Sequence, residues 1–220
     1  MDIKRVTLFA GHYGSGKTNI AVNFAKHLKQ LGKEVTIVDL DIVNPYFRTK
    51  DSEGELRNCG IDVICSEYAN TNLDIPALPK EVYGAVNDKS SHLIIDVGGD
   101  DVGAVALGRY TPSILKENDY HMIYVANCKR PLTKTAEDTL AVMREIEQSS
   151  GIPFTAIVNN SNLGNATTKK DVLNSIDYIK NLSKLSGLPV YMTTVNENLY
   201  EELKPQIENL FSLNLQKNKY

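Results

Sequence analysis

Hydrophobic and polar positions alternate along this chain in two patterns. Short apolar runs predict strands, and longer segments with apolar residues every three or four positions predict helices. The first predicted strand is Val6–Ala10, and the helix after it carries Ile20, Phe24 and Leu28 on one face. Because each helix returns the chain over one face of a sheet, this alternation predicts a three-layer α/β fold, with a mostly parallel sheet and helices on both faces.

The same patterns place the remaining elements. Further strands are predicted at 34–39, 61–65 (an edge strand), 92–99, 121–126, 154–159 and 188–192, the last of these closing the series. Helices are predicted near 47–58, 76–88, 101–117, 133–149, 171–186 and 197–212, with Thr133 as an N-cap. Residues 66–75 are expected to form a loop. No linker or repeat interrupts the pattern, so we expect one nucleotide-binding domain over 1–214 and a polar tail over 215–220.

The loop between the first strand and the first helix carries a recognisable motif. It reads GHYGSGKT and matches the phosphate-binding pattern G-x-x-x-x-G-K-[ST] of P-loop proteins. Lys17 is expected to contact the β- and γ-phosphates, and the Thr18 hydroxyl to ligate Mg²⁺. The alternative, a glycine-rich turn, is less favoured because a strand precedes the motif and a helix follows it. The loop residues expected to surround the phosphates are Gly11, His12, Tyr13, Gly14, Ser15 and Gly16.

Acidic residues follow two other predicted strands. Asp39 and Asp41 end one of them, and Asp96 ends another, where it begins a D-x-x-G sequence completed by Gly99. Ligands of open α/β sheets bind at the carboxyl ends of the strands, and carboxylates there can hold Mg²⁺. Strands also end in aspartate because this residue suits turns. Three such residues beside a P-loop favour the metal, and the Gly99 N–H is expected to sense the γ-phosphate.

Composition narrows the range of functions. The 220 residues are 42% hydrophobic and 23% charged, as in globular proteins, and the formal net charge of −3 argues against a general nucleic-acid binder. No apolar run approaches the ~20 residues that span a bilayer. The N-terminus does not resemble a signal peptide. Cys59, Cys65 and Cys128 are scattered, which favours reduced thiols, a cytoplasmic location and no metal cluster.

Three stretches together resemble one protein family. Residues 11–18, Val38-Asp39-Leu40-Asp41 and Ile95-Asp96-Val97-Gly98-Gly99 are similar, in order and spacing, to the MinD/ParA-like ATPases (CobQ/CobB/MinD/ParA) of the SIMIBI class of P-loop NTPases. The resemblance implies that Asp39 supports Mg²⁺ through water and that Asp41 orients the attacking water. It also implies that Asp96 and Gly99 belong to a switch region. ATP and Mg²⁺ are the expected cofactors.

One position departs from the family pattern. The family has a second lysine just after the first glycine of the motif, which reaches the phosphates bound by a partner copy, and this chain has His12 there. An imidazole is not a fixed positive charge. Nucleotide-driven homodimerisation is therefore expected to be weakened, with slow intrinsic turnover. His12 could also point to solvent. Arg48 and Arg130 could supply the charge, although a solvated surface role is the simpler interpretation of each.

Two sequences bear on the choice of base. Thr168-Lys169-Lys170-Asp171 matches the guanine-reading pattern [NT]-K-x-D, but it lies about ten residues after the strand, where Thr168 and Asp171 are typical of a capping box. Asn159 and Asn160 end the strand itself, where MinD/ParA-like proteins use an asparagine to read adenine. An amide offers adenine both a donor and an acceptor. Residues 194–196 could close over the base. ATP is therefore favoured over GTP.

Three functions remain open at this point. The leading hypothesis is a MgATP-dependent ATPase that binds ATP and ADP and acts as a switch on a partner protein. The second is a small-molecule kinase or ATP-dependent ligase like dethiobiotin synthetase, with Tyr46, Arg48 and residues 66–75 lining a substrate pocket. The third is a nucleotide sensor that does not hydrolyse. We expect no membrane or nucleic-acid partner for any of them.

Overall fold

A parallel sheet forms the centre of the molecule in the computed structural model, which describes residues 2–41, 49–65, 80–99 and 101–215. Within that part of the chain the sheet has eight strands in the order β3-β2-β4-β1-β5-β6-β7-β8, and every neighbouring pair is parallel. The strands are β1 Val6–Ala10, β2 Val35–Leu40, β3 Asp62–Ile64, β4 His92–Val97, β5 Tyr120–Ala126, β6 Ala156–Asn159, β7 Val190–Asn196 and β8 Leu210–Leu213.

Helices cover both faces of this sheet. They are α1 Lys17–Gln30, α2 Glu53–Asn58, α3 Glu81–Asn87, α4 Asp101–Gly108, α5 Thr111–Glu117, α6 Ala136–Ser150, α7 Lys169–Ser186 and α8 Glu197–Leu203. Side chains of α1 and α2 share one buried cluster with the strands, whereas side chains of α3 to α7 share a cluster on the other face. The predicted three-layer α/β fold is therefore confirmed. No helix in the described ranges is long and apolar enough to cross a membrane.

The end of the chain differs from the prediction. The last helix ends at Leu203 rather than at residue 212, and β8 follows it, so 188–192 does not contain the last strand. Pro205 explains the early end, because proline removes a helical hydrogen bond and restricts the residue before it. Beyond it, Phe211 and Leu213 are buried on either side of Ser212 and pair with β7 at the sheet edge. Residues 216–220, the end of the predicted tail, lie outside the described part.

Two other helix predictions need correction. The single helix expected over 101–117 is two helices, α4 and α5, and Pro112 stands in the first turn of the second, where its fixed φ is favourable. The N-cap of α6 is Thr135 rather than Thr133: the Thr135 hydroxyl accepts from the Asp138 N–H. Thr133 instead ends the short 3₁₀ helix Pro131–Thr133, and its hydroxyl donates to the Asn127 carbonyl at 2.8 Å.

Strand register brings the acidic residues together. Asp39 of β2 lies directly opposite Asp96 of β4, and Asp96 lies opposite Phe9 of β1. Residues two apart share a face of a strand, so Asp39 and Asp96 continue the faces of Ile37 and Ile94, which pack in the cluster with α1. The carboxylates therefore lie at the carboxyl edge of the sheet, on the face that also carries the start of α1.

Candidate nucleotide-binding site

The phosphate-binding motif forms a tight loop that leads into α1. Gly16 has φ 91° and stands as the N-cap, and the helix begins at Lys17. A side chain on Gly16 would start 2.3 Å from Nδ2 of Asn160, so only glycine fits both the positive φ and the neighbour. The loop is thus closed onto the end of β6, and the N-terminus of a 14-residue helix lies at its base.

Two side chains from other loops hold consecutive carbonyl groups of this motif. Arg130, after β5, donates from Nε to the Gly14 carbonyl at 2.7 Å. Asn160, after β6, donates from Nδ2 to the Ser15 carbonyl at 2.6 Å. The loop conformation is therefore fixed by contacts that need no nucleotide.

Asp96 is the most deeply buried of the carboxylates. It has no exposed surface, and its Oδ2 accepts from the Thr49 hydroxyl at 3.1 Å. Its Oδ1 is buried and has no hydrogen-bond partner within the described residues. Burial raises the pKa of Asp96 to about 6, against the opposing effects of the Lys17 ammonium and of the Thr18 hydroxyl. The negative charge of Asp41 adds to the rise.

Asp39 and Asp41 lie beside it and are also buried. The Asp41 N–H donates to Oδ1 of Asp39 at 3.0 Å, which orders the turn after β2. In the described ranges no three histidine, cysteine, aspartate or glutamate side chains form a ready metal cage. Mg²⁺ bound with phosphates needs only one or two carboxylates, and the buried oxygen of Asp96 without a partner fits such an ion.

Gly99 closes the space above the loop. A side chain on this residue would start 2.8 Å from both Nζ of Lys17 and the backbone nitrogen of Tyr13. The expected switch glycine therefore lies against the residues expected to hold the terminal phosphate. His12 is partly exposed, and its Nδ1 lies 3.0 Å from the Tyr13 carbonyl.

The two asparagines at the end of β6, Asn159 and Asn160, are buried and hydrogen-bonded within the protein. Nδ2 of Asn159 donates to the Ser175 hydroxyl at 2.8 Å. Oδ1 of Asn160 accepts from the Thr194 hydroxyl at 2.6 Å, in addition to the bond from Nδ2 to the P-loop. Adenine reading by either residue stays a prediction. In this structure Asn160 ties the P-loop to the end of β6 and to β7, whereas Asn159 ties β6 to α7.

The guanine-like sequence forms a capping box, as predicted. The Thr168 hydroxyl accepts from the Asp171 N–H, and the Asp171 carboxylate accepts from the Thr168 N–H. Lys129 also donates to Oδ1 of Asp171 at 2.8 Å. These hydrogen bonds from Lys129 and Thr168 hold the pKa of Asp171 well below its usual range. Both oxygens of Asp171 therefore have partners within the protein.

Several contacts of this site could not be predicted from the sequence. Thr49 gave no signal, because it lies far from every motif and reaches Asp96 only through the fold. Lys129 also carried no motif, although it follows a strand that ends at the site. Arg48, Tyr46 and the loop 66–75 lie outside the described residues, as do the side chains of Lys50, Asp101 and Val102.

A comparison with protein families now adds to this geometry. Residues 6–215 match the CobQ/CobB/MinD/ParA nucleotide binding domain, and the chain belongs to this family. The resemblance on which the sequence analysis relied is therefore confirmed. A search of curated protein sequences finds no significant match.

Solved structures with the same fold include signal recognition particle receptors of the SIMIBI class. FtsY from Mycoplasma mycoides aligns over 90% of this chain and 62% of its own, with 18% identity and a TM-score of 0.60. FtsY from Thermotoga maritima aligns over 87% and 62%, with 14% identity and a TM-score of 0.59. FtsY from Elizabethkingia anophelis in complex with GDP aligns over 90% and 58%, with 15% identity and a TM-score of 0.56. The chain thus spans about three fifths of these proteins, and the likeness concerns the fold.

Proposed function

We propose that this protein is a MgATP-dependent ATPase that acts as a nucleotide-controlled switch on a partner protein. The observation that carries the proposal is the meeting of the P-loop with Asp39, Asp41 and Asp96 at one edge of the sheet. Family membership supports nucleotide binding, and the continuous sheet from β1 to β8 supports one domain over residues 1–214. The three cysteines, all described, form no disulfide, which supports a cytoplasmic setting.

Each side chain would have a distinct role. Lys17 binds the β- and γ-phosphates, and Thr18, Asp39 and Asp96 hold Mg²⁺ directly or through water. When bound, the metal neutralises charge on the phosphates. Asp41, two residues beyond Asp39, orients the attacking water. Phosphoryl transfer depends mainly on alignment and charge stabilisation, so a residue that positions water affects rate more than affinity.

The hydrogen bonds that the Asp171 carboxylate accepts support ATP rather than GTP as the substrate. A guanine-reading aspartate needs its carboxylate oxygens for the base, and those of Asp171 are bonded by Lys129 and Thr168. Asn159 and Asn160, at the end of β6, are our candidates for adenine recognition. The GDP in the E. anophelis protein belongs to a structure only 15% identical to this chain.

The partner would respond to the state of the nucleotide, since Gly99 lies against Lys17 and Tyr13 and can sense the γ-phosphate. We expect ATP alone to produce little homodimer, because His12 replaces the family lysine. Light scattering with MgATP tests this expectation. The protein partner would be recognised because it binds one nucleotide state of this protein more tightly than the other.

The proposal is tested by phosphate release from MgATP and MgGTP without any second substrate. We expect slow release from ATP, and no release would favour the kinase, ligase or sensor alternatives. Asp41→Asn should slow release about tenfold or more, with MgATP affinity within about threefold of the parent. If Asp41→Asn hydrolyses ATP at the parent rate, the assignment of Asp41 is wrong. Melting temperature distinguishes a loss of catalysis from a loss of folding.

A further inference from the structure

Arg130 occupies an unusual position beside the P-loop. Its Nε donates to the Gly14 carbonyl at 2.7 Å, and its Nε and Cζ lie 3.4 and 3.6 Å from where a side chain on Gly14 would begin. The guanidinium therefore lies against the loop that is proposed to hold the phosphates. Only one of its donors is used in this contact.

The backbone of Arg130 is held firmly by its own turn. The Arg130 N–H donates to the Asn127 carbonyl at 3.2 Å, and Asn127 is buried. Oδ1 of Asn127 accepts from the Lys129 N–H at 3.0 Å. Pro131 then fixes the start of the 3₁₀ helix. The side chain is thus aimed at the loop by a rigid segment.

The charge of Arg130 is not used elsewhere in the described part of the chain. It forms no ion pair there, and its terminal Nη atoms donate to none of those residues, unlike the guanidinium of Arg5, which bonds Glu117 and two carbonyls. Arginine presents donors in a planar fork that matches phosphate oxygens. A guanidinium bound to the loop through Nε keeps both Nη groups for that purpose.

The site also needs positive charge. Lys17 is the one lysine or arginine on the motif itself, and its charge already interacts with the buried Asp96, which lies beside the buried Asp39 and Asp41. A triphosphate adds further negative charge, and the position of the family's second lysine holds His12. Arg130 donates to the carbonyl of Gly14, which lies two residues along the loop from His12.

We infer that Arg130 contacts the phosphates of the bound nucleotide from within the same chain, and so supplies the positive charge that its relatives take from a partner copy. This inference rests on the proposed nucleotide binding. It makes the site complete in one chain. It also predicts that affinity for phosphate depends on the charge of Arg130 and not only on its bond to Gly14.

Two substitutions separate charge from hydrogen bonding. Arg130→Gln keeps an N–H donor for the Gly14 carbonyl but removes the charge, whereas Arg130→Lys keeps the charge. Calorimetry would compare MgATP, inorganic tripolyphosphate with Mg²⁺, and adenosine. We expect Arg130→Gln to weaken both phosphate ligands about tenfold or more and to leave adenosine unchanged, and Arg130→Lys to restore part of the loss. Lys134→Gln, an exposed lysine near the same turn, should change nothing.

A mixing experiment tests whether the contact is made within one chain. Lys17→Ala chains carry Arg130 but bind phosphate poorly, so they should not restore tripolyphosphate binding to Arg130→Gln chains. Restoration would show that Arg130 acts across a dimer and would overturn the inference. Unchanged tripolyphosphate affinity in Arg130→Gln, or equal losses for adenosine and tripolyphosphate, would also overturn it while leaving nucleotide binding intact. A parent protein that binds neither MgATP nor tripolyphosphate would instead refute the proposed function.

Discussion

The two sides of the candidate site differ in how their backbone carbonyls and charged groups are satisfied. On the P-loop side, the Gly14 and Ser15 carbonyls already have side-chain partners from the loops after β5 and β6, although the buried Ser15 hydroxyl has none among the described residues. On the carboxylate side, Oδ1 of Asp96 is buried without a described partner, and burial raises the pKa of this residue. One side is therefore preorganised, whereas the other carries an unfavourable charge until a ligand arrives.

The difference shows where binding energy would act. A rigid loop loses little conformational freedom when phosphate binds, which favours affinity. A buried carboxylate whose charge is only partly compensated destabilises the empty protein, and a cation removes that penalty on binding. Substitutions at Lys17, Asp96, Asn160 and Asp171 are expected to have effects that decrease in this order.

Replacement of Lys17 should affect both sides. Lys17→Ala is expected to weaken MgATP binding by about 1.5–3 kcal/mol, or roughly 10- to 150-fold, because it removes a charge-assisted contact to phosphate. Calorimetry measures the change. Lys26→Ala is a matched control on the same helix, since Lys26 pairs with Glu55 at the surface. Unchanged MgATP affinity in Lys17→Ala would refute the P-loop assignment.

Asp96→Asn should stabilise the empty protein at high pH. The pKa of Asp96 is raised from 3.8 to about 6, so the folded state binds a proton more readily than the unfolded chain does. The ionised Asp96 carboxylate therefore destabilises the fold above pH 6. This destabilisation declines as pH falls from 6 towards the pKa of Asp96 in the unfolded chain, 3.8. We expect the free energy of unfolding of Asp96→Asn to exceed that of the parent by about 2–3 kcal/mol near pH 8, and by roughly half as much near pH 5.

Denaturant titration in the presence of a chelator measures this difference. With MgATP present, we expect Asp96→Asn to be less stable than the parent, because a neutral amide is a poorer magnesium ligand than a carboxylate. For the same reason, the Mg²⁺-dependent part of ATP affinity should fall in this variant. Equal stability of parent and Asp96→Asn near pH 8 would show that the buried charge of Asp96 does not destabilise the empty protein. The carboxylate side would then not differ from the P-loop side in the way described above.

Loss of Asn160 should loosen the preorganised side. Asn160→Ala leaves the Ser15 carbonyl and the Thr194 hydroxyl without this partner, at an expected cost of about 1–3 kcal/mol in the free energy of unfolding. If Asn160 only anchors the loop, ATP and tripolyphosphate affinities should fall equally, whereas a selective loss of ATP would indicate adenine reading. Asn165→Ala, at an exposed position, serves as the control.

The smallest effect is expected at Asp171. Asp171→Asn should leave the preference between ATP and GTP unchanged and lower the melting temperature slightly, because it weakens the capping box and the bond from Lys129. The depressed pKa of Asp171 means that its stabilisation is present above the unfolded pKa and is lost as pH falls through the folded one. Asp177→Asn, exposed on the same helix, is the control. A switch in base preference would make Asp171 a base-reading residue.

Most of the fold was predictable because periodicity is strong where elements are buried. The strands around β1 are continuous apolar runs, as expected for a parallel sheet covered on both faces. Two errors occurred where a single proline decided the outcome: Pro205 ends α8 and Pro112 starts α5, although the apolar positions alone suggested longer helices. The edge strand β8 has only four residues and depends on pairing with β7, a long-range contact that local pattern does not report.

The site was predictable only in its local parts. The P-loop and the capping box are short motifs whose residues interact with near neighbours, so spacing was informative. Thr49 on Asp96, Arg130 on Gly14 and Asn160 on Ser15 join residues 47, 116 and 145 positions apart. Their pairing is a product of strand order, and no single segment of sequence encodes it.

The span of those contacts has a consequence for the newborn chain on the ribosome. The phosphate loop is made first, but Asn160 is added 145 residues after Ser15. At roughly 5–20 residues per second, roughly 7 to 30 seconds separate the two. Throughout that interval the emerging loop lacks the Asn160 side chain that holds the Ser15 carbonyl. We therefore expect bound nucleotide to stabilise the phosphate loop fully only after β6 has been synthesised.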